Sequence, residues 1–427
     1  MFYVWNVNTQ NFKFLWNNIL HMINLKQITY EYIESLKYVN EIKRDLQLKE
    51  YSDILALTGP RRVGKTFLLL KKAKELMDNK KQVIYSPFDE PGLKKVSVRQ
   101  FAELIRKEYP EGKVYLFLDE IQEWEKWDFN LRWMHDMKEF KIYVSGSSSA
   151  LLSSEIPSKL RGRYISNVLL PISFKEIADF EIKTFREKGR VLKLLEDYMK
   201  YGGFPEVWAT KSREKILNLL ETMFYRDIVE RYKIRDIGIF QEIFYFILAN
   251  FGNTFTWRSL KRLLEGLNVN IDTKTLINYA RYMEQSFLIF VINKFSYSAK
   301  EQIVSPKKGY IVDTSFMNIF SKPMDIGRRM ENIVFLELLR RNNCKVTEIN
   351  YYATKKNKEI DFVVKEGNKV KQLIEVTYEN NRLADKIKNL KAASKELKCR
   401  NLLIIAWNKE EVKEGVKIVP LWKWLIS

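Results

Sequence analysis

Gly59-Pro60-Arg61-Arg62-Val63-Gly64-Lys65-Thr66 has the spacing G-x-x-x-x-G-K-[ST] of a phosphate-cradling P-loop. An eight-residue pattern also arises by chance, so its flanks decide the reading. Asp53-Ile-Leu-Ala-Leu-Thr58 is a short apolar run of the kind a buried parallel strand uses. Thr66–Met77 carries apolar residues at helical spacing. The chemistry needs this order of strand, glycine loop and helix. The glycines permit backbone angles and a close approach that a side chain would block. Backbone N–H groups at the helix N-terminus then face the phosphates. In this reading Gly59, Pro60, Arg61, Arg62, Val63, Gly64, Lys65, Thr66 and Phe67 line a nucleotide. Lys65 brings charge to the β- and γ-phosphates, and the Thr66 hydroxyl ligates Mg²⁺. ATP and Mg²⁺ are the implied cofactors.

Two further apolar runs end in polar groups. Val114-Tyr-Leu-Phe-Leu118 runs into Asp119-Glu120, a Walker B pattern. Asp119 would hold Mg²⁺, and Glu120 would orient or deprotonate the attacking water. Lys141-Ile-Tyr-Val-Ser145-Gly-Ser147-Ser148 is a third strand ending in hydroxyls. Ser147 or Ser148 at its tip suits a γ-phosphate sensor and equally a helix N-cap.

The 427 residues suffice for two to four domains. No run approaches the length of an apolar membrane span, and the opening residues lack the pattern of a secretory leader. Cys344 and Cys399 are the only cysteines, and His21 and His135 the only histidines. Disulfides and a histidine-based zinc site are therefore not expected, and a cytoplasmic setting is. The net charge is +20, and residues 300–427 hold 26 Lys and Arg against 16 Asp and Glu, half of that surplus. A basic excess suits nucleic acid, but the Lys- and Glu-rich, Gln-poor usage also resembles that of thermophiles.

Residues 1–50 read as helices leading into an α/β core over 51–172, with strands at 53–58, 82–86, 114–118, 141–145 and 165–170. Residues 173–236 read as helical, broken by Tyr201-Gly-Gly-Phe-Pro-Glu206, and suit either a lid or a plain linker. Over 237–313, three short helices and two strands make a winged-helix pattern. Its third helix (273–287) carries Thr273, Lys274, Asn278 and Arg281, and Lys300, Lys307 and Lys308 fall on or near the wing. Winged helices contact protein as well as DNA, so both partners are open.

Residues 314–427 begin with a helix over 328–341, followed by strands at 346–353, 359–364 and 371–377, a helix at 384–397 and a strand at 401–407. Glu331, Asp361 and Glu375 fall where carboxylates on adjacent elements form a second metal site for phosphodiester cleavage. Metal-dependent nucleases of the PD-(D/E)XK type use this layout and add a lysine two residues after the second strand acid. Here that position is Thr377, with Lys386, Lys388 or Lys391 on the next helix as substitutes. A degenerate nucleic-acid-binding or structural domain is therefore expected ahead of an active nuclease.

Taken together, the chain resembles a prokaryotic, largely archaeal, family of AAA-type ATPases near the STAND and AAA+ groups. The matching stretches run from Leu57–Thr66 through Phe117-Leu-Asp-Glu-Ile-Gln122, Leu160-Arg-Gly-Arg163, Gly202-Gly-Phe-Pro-Glu206 and Tyr225-Arg-Asp227. They continue to Gly309-Tyr-Ile-Val-Asp313, Glu331-Asn-Ile-Val334 and Glu359-Ile-Asp-Phe362. The resemblance implies an α/β P-loop NTPase core of the additional-strand class. It also implies a helical lid, a winged helix and a C-terminal restriction-endonuclease-like α/β domain. Arg163 matches a γ-phosphate sensor or finger, acting in cis or in trans, with an ion-pair role as its alternative. Three functions follow as expectations: a DNA-associated ATPase, a signalling or scaffold ATPase whose winged helix and tail bind protein, and an ATP-regulated nuclease; an oligomer is compatible with each.

Overall fold

Continuous apolar runs such as Ile54-Leu-Ala-Leu-Thr58 have no polar face to give to water, so they pair into a sheet covered on both sides. In the computed structural model, which describes residues 23–146, 160, 162–181, 188–319 and 325–427, such a sheet forms from strands between 54 and 168. The chain divides into two compact units. One comprises the residues up to Glu41 with Leu46–Gly59 and Gly64–Leu169; the other comprises Ile42–Asp45, Pro60–Val63 and Leu170–Ser427.

In the first unit, β1 (Ile54–Thr58), β2 (Gln82–Pro87), β3 (Val114–Asp119), β4 (Phe140–Gly146) and β5 (Tyr164–Val168) form a sheet of order β2-β3-β4-β1-β5. Every pairing is parallel. Helices α1 (Leu25–Ser35), α2 (Lys65–Asp78), α3 (Val98–Glu108) and α4 (Trp127–Asp136) accompany the sheet. Trp124 fixes one wall of the core. Its ring stacks on Phe88 at 4.4 Å, and its indole N–H donates to the Val96 carbonyl at 2.7 Å. A parallel sheet places all strand C-termini on one edge. The loop after β1, Asp119 and Ser145 therefore meet there.

In the second unit, α5 (Phe174–Glu181), α6 (Lys188–Tyr201), α7 (Pro205–Thr210) and α8 (Arg213–Thr222) precede a π-helical stretch, Met223–Glu230. Then come α9 (Ile237–Ala249), β6 (Thr254–Phe255), α10 (Trp257–Gly266), α11 (Thr273–Gln285), β7 (Ile289–Asn293), α12 (Ala299–Val304) and β8 (Lys307–Ile311). The three strands pair antiparallel in the order β6-β8-β7. The basic connection between β7 and β8 is thus partly helical, which its sequence did not announce. Finally, α13 (Ile326–Arg341), β9 (Ile349–Ala353), β10 (Glu359–Glu366), β11 (Lys369–Thr377), α14 (Leu383–Leu397), β12 (Leu402–Ala406), β13 (Glu411–Lys413), β14 (Val416–Pro420) and α15 (Leu421–Ile426) build a six-stranded mixed sheet of order β13-β14-β12-β11-β10-β9.

The Gly202-Gly203 turn is locked in this second unit. The Gly203 N–H donates to Asp313 Oδ2 at 2.7 Å, and the Ile172 N–H donates to the Gly203 carbonyl at 2.7 Å. A Cβ at Gly203 would lie 2.1 Å from the Ile172 carbonyl oxygen, backbone that cannot swing aside. Gly203→Ala is therefore expected to cost about 2–4 kcal/mol, read as a lowered urea midpoint.

Candidate nucleotide site

The P-loop leaves β1 through a glycine that only glycine can be. Gly59 has φ 147°, and a Cβ there would lie 2.1 Å from the Leu169 carbonyl oxygen. Gly64, with φ 95°, caps the N-terminus of α2 and has open space where a Cβ would stand. The Lys65 ammonium is buried and donates to the Gly59 carbonyl at 3.1 Å, across the mouth of the loop. The Thr66 hydroxyl donates to Asp119 Oδ2 at 2.6 Å.

Asp119 is the hub of this edge. Its Oδ2 also accepts from the Tyr85 hydroxyl at 2.8 Å. Its Oδ1 accepts from the Ser145 hydroxyl and from the Glu120 N–H. Burial, then the Asp119 charge, raises the Tyr85 phenol far above its ordinary value, so Tyr85 stays a donor. Glu120 adopts the left-handed region, φ 47° and ψ 47°, which a non-glycine residue enters at a cost of roughly 1 kcal/mol. Its N–H also donates to Ser145 Oγ at 3.3 Å, and its Oε2 accepts from Gln122 Nε2. These bonds hold the strained turn and aim the carboxylate off the strand end.

Tyr85 and Ser145 were missed as site residues. A hydroxyl inside an apolar strand run reads as ordinary strand composition; only the strand-end position of Ser145 hinted at more. Ser147, named for the sensor position, lies outside the described residues, as does Ser148. Phe67 stands half-buried in the first turn of α2. The donor set fits Mg²⁺ with nucleotide. Thr66 offers a hydroxyl and Asp119 a carboxylate, the hard oxygen ligands this ion takes. Lys65 and the N–H groups entering α2 offer the charge that phosphates need.

The tip of the loop is held within the second unit. Arg61 Nε lies 3.0 Å from Asp227 Oδ1 and 3.4 Å from Oδ2, and Arg61 NH2 lies 3.0 Å from Oδ1. Arg62, at φ 62°, pairs with Glu206 at 3.3 Å. The buried guanidinium of Arg44 donates to the Val63 carbonyl at 2.9 Å and pairs with Glu176 at 3.1 Å.

Arg163 is elsewhere. It precedes β5, and its carbonyl accepts from the Ile54 N–H at the start of β1. The parallel register of β1 and β5 puts it a full strand, about 13 Å, from the end of β1 that bears the loop. Its guanidinium pairs with Asp136 at 3.2 Å. A finger acting in cis is therefore corrected to an ion pair at the opposite sheet edge.

The expected second metal site is also corrected. Glu331, Asp361 and Glu375 do converge, but around two ammoniums. Lys308 Nζ lies 2.7 Å from Glu331, 2.6 Å from Glu359 and 3.9 Å from Asp361. Lys386 Nζ lies 3.1 Å from Asp361 and 2.6 Å from Glu375. Burial, then the charge of Asp361, pushes Glu375 well above the usual carboxylate range, against the pull of Lys386. Burial also raises Glu331, against the pull of Lys308. Among the described residues no group of three metal-ligating side chains is arranged to hold an ion. The Thr377 hydroxyl donates to the Glu379 carbonyl at 2.9 Å, and of the three lysines named on the next helix it is Lys386 that reaches Asp361 and Glu375. Lys308, expected on or near the wing, lies in β8 and is 2% exposed at the centre of the cluster.

Comparisons with known proteins agree with the first unit's geometry. The AAA domain family matches residues 51–178, and two domains of unknown function, DUF8612 and DUF4143, match 192–324 and 326–424. The chain is 33% identical to Uncharacterized protein MJ1544 of Methanocaldococcus jannaschii, over 95% of this chain and 96% of that protein. It is 27% identical to an uncharacterized protein of Haemophilus influenzae, over 91% and 98%. Among solved structures, AMPPCP-bound DnaA from Aquifex aeolicus is similar at 16% identity and a TM-score of 0.26, covering 62% of this chain and 89% of that one. Drosophila ORC bound to AT-rich DNA and Cdc6 is similar at 13% identity and a TM-score of 0.21, covering 72% and 93%. Likenesses of that size carry no argument about ligand or partner. The near-complete match at 33% identity shows the family: the chain belongs to the family of MJ1544, and its residues 51–178 are an AAA domain of the P-loop ATPase type.

Proposed function

We propose that this chain is a Mg²⁺-dependent ATPase that acts on, or is regulated by, DNA. The observation that carries the ATPase half is the meeting of Lys65, Thr66, Asp119 and Glu120 at one sheet edge, with Thr66 and Asp119 in direct hydrogen bond. Thr66 and Asp119 would hold Mg²⁺, which neutralises phosphate charge when bound. Lys65 and the backbone of Gly59–Thr66 orient the triphosphate, and Glu120 takes the proton of the attacking water.

The DNA half rests on residues 237–313 as a winged helix, followed by the basic domain 314–427, with 173–236 as the lid. Three helices and an antiparallel sheet of order β6-β8-β7 suit that assignment. On α11, Lys274 and Arg281 are exposed, as are Arg258 and Arg262 on α10. A second reading, contact with protein, is favoured by one observation. The β7–β8 connection exposes Tyr297, Ile303 and Val304, at 68%, 75% and 70%.

Steady-state ATP hydrolysis with and without duplex, junction and single-stranded DNA separates the readings, with Lys65→Ala as the blank. DNA-stimulated turnover, lost in the blank, is expected. Turnover indifferent to every DNA, with no gel shift at low salt, would transfer the function to the protein-binding reading. Wild-type turnover equal to the blank would remove the ATPase itself.

A further inference from the structure

We propose that Asp227 is a positioning residue for the P-loop, holding the loop tip through Arg61. The inference rests on the ATPase reading. The tip Pro60–Val63 has to present backbone N–H groups to phosphate, yet Arg62 stands there in the left-handed region. Something must over-determine that conformation. Asp227 grips the Arg61 guanidinium by both carboxylate oxygens, through Nε and NH2, in a charge-assisted pair.

Asp227 is itself anchored. It is 6% exposed and sits inside the π-helical stretch Met223–Glu230, a geometry that recurs at functional sites. Its carbonyl accepts from the hydroxyl of Ser286, the residue that caps α11, at 3.0 Å. Beyond it, Tyr232 stacks on Tyr282 of α11 with ring centres 4.0 Å apart and planes 10° from parallel. Asp227 is thus held at both ends, its carboxylate by the loop tip and its backbone carbonyl by the residue that caps α11. A surface ion pair would be worth little. This pair is seated on an ordered helix and ties down one strained loop, so its removal is felt at the phosphate.

The test measures affinity for a fluorescent ATP analogue with Mg²⁺ in the full chain, for wild type, Asp227→Asn, Arg61→Gln and the double variant. Each single variant is expected to bind about tenfold more weakly, and the double no more weakly than either single. Amide exchange at Arg62 and Val63, measured without nucleotide, is expected to quicken in each variant while the strands of the first unit keep their protection. That pattern distinguishes positioning from a general loss of stability. Arg61→Gln changes a side chain 26% exposed, so it reports on the tie even if Asp227→Asn fails to fold. Variants that bind like wild type, or losses that simply add, would overturn the proposal. Wild type that binds no nucleotide would instead overturn the ATPase reading, and the positioning role with it.

Discussion

Lys308→Met is expected to destabilise the second unit by about 3–5 kcal/mol, the cost of leaving a buried ion cluster with one partner removed. Lys308 is 2% exposed, and its ammonium faces Glu331, Glu359 and Asp361. Burial alone would lower its pKa; the surrounding acids hold it well above the usual lysine value. Methionine keeps the stem and deletes the charge. Glu331, which also accepts from the Tyr310 hydroxyl at 2.7 Å, then keeps that bond but loses the ammonium that balances its charge. Adding Glu331→Gln to Lys308→Met should recover part of the loss, since the orphaned charge goes with it. The pH dependence has a definite sign. Burial raises Asp361, but Lys386 and Lys308 more than offset that and bring it down to about 2. Its unfolded value is about 3.9, so its contribution is present above that pH and fades as pH falls through about 2. Wild type and variant should therefore differ most at neutral pH and converge in acid. Urea denaturation at pH 7 and pH 3 reads both, and equal midpoints at pH 7 would mean the cluster is effectively solvated.

That cluster marks the limit of what spacing could reveal. Strands β1 and β3 were legible because each carries an unbroken apolar run, and the loop because its glycines, lysine and threonine fall at a fixed spacing between strand and helix. The site's two main acids, Asp119 and Glu120, were legible because they end such a run. Lys308 was not. Its partners lie 23 to 53 positions away, on α13 and β10, and local pattern places it on a hairpin with solvent on one side. The role of Arg163 stayed open between finger and ion pair for a related reason. The residue stands beside a strand of the nucleotide-binding sheet, but parallel register assigns it the wrong end, and register cannot be read from one strand. Lys386 was legible only as one of three, since which lysine of α14 faces β10 and β11 depends on how the helix is rotated against the sheet. The hairpin β13–β14 and the closing helix α15 went unread because both are short. The acid cluster was visible as three carboxylates, and its meaning was reversed by two lysines whose approach is purely tertiary.

Glu120→Gln is expected to keep nucleotide binding and slow hydrolysis by roughly 10²–10⁴, the range a positioned general base contributes. The substitution is close to isosteric, and the features that place Glu120 survive it. Its N–H still donates to Asp119 and Ser145, and its neighbour Gln122 still has an amide oxygen to meet. Only the capacity to accept a proton is lost. Lys65→Ala should behave in the opposite manner, failing at binding because the charge beside the Gly59 carbonyl is gone. Asp119→Asn should resemble neither. It leaves Thr66, Tyr85 and Ser145 with an amide that can accept from fewer of them, so it disturbs the loop as well as the Mg²⁺ oxygen set. Single-turnover hydrolysis beside equilibrium binding separates the three. Full binding with arrested hydrolysis in Glu120→Gln assigns the proton transfer to this carboxylate. Single-turnover hydrolysis at the wild-type rate would remove Glu120 from the chemistry and reduce its left-handed turn to a structural feature of the strand end.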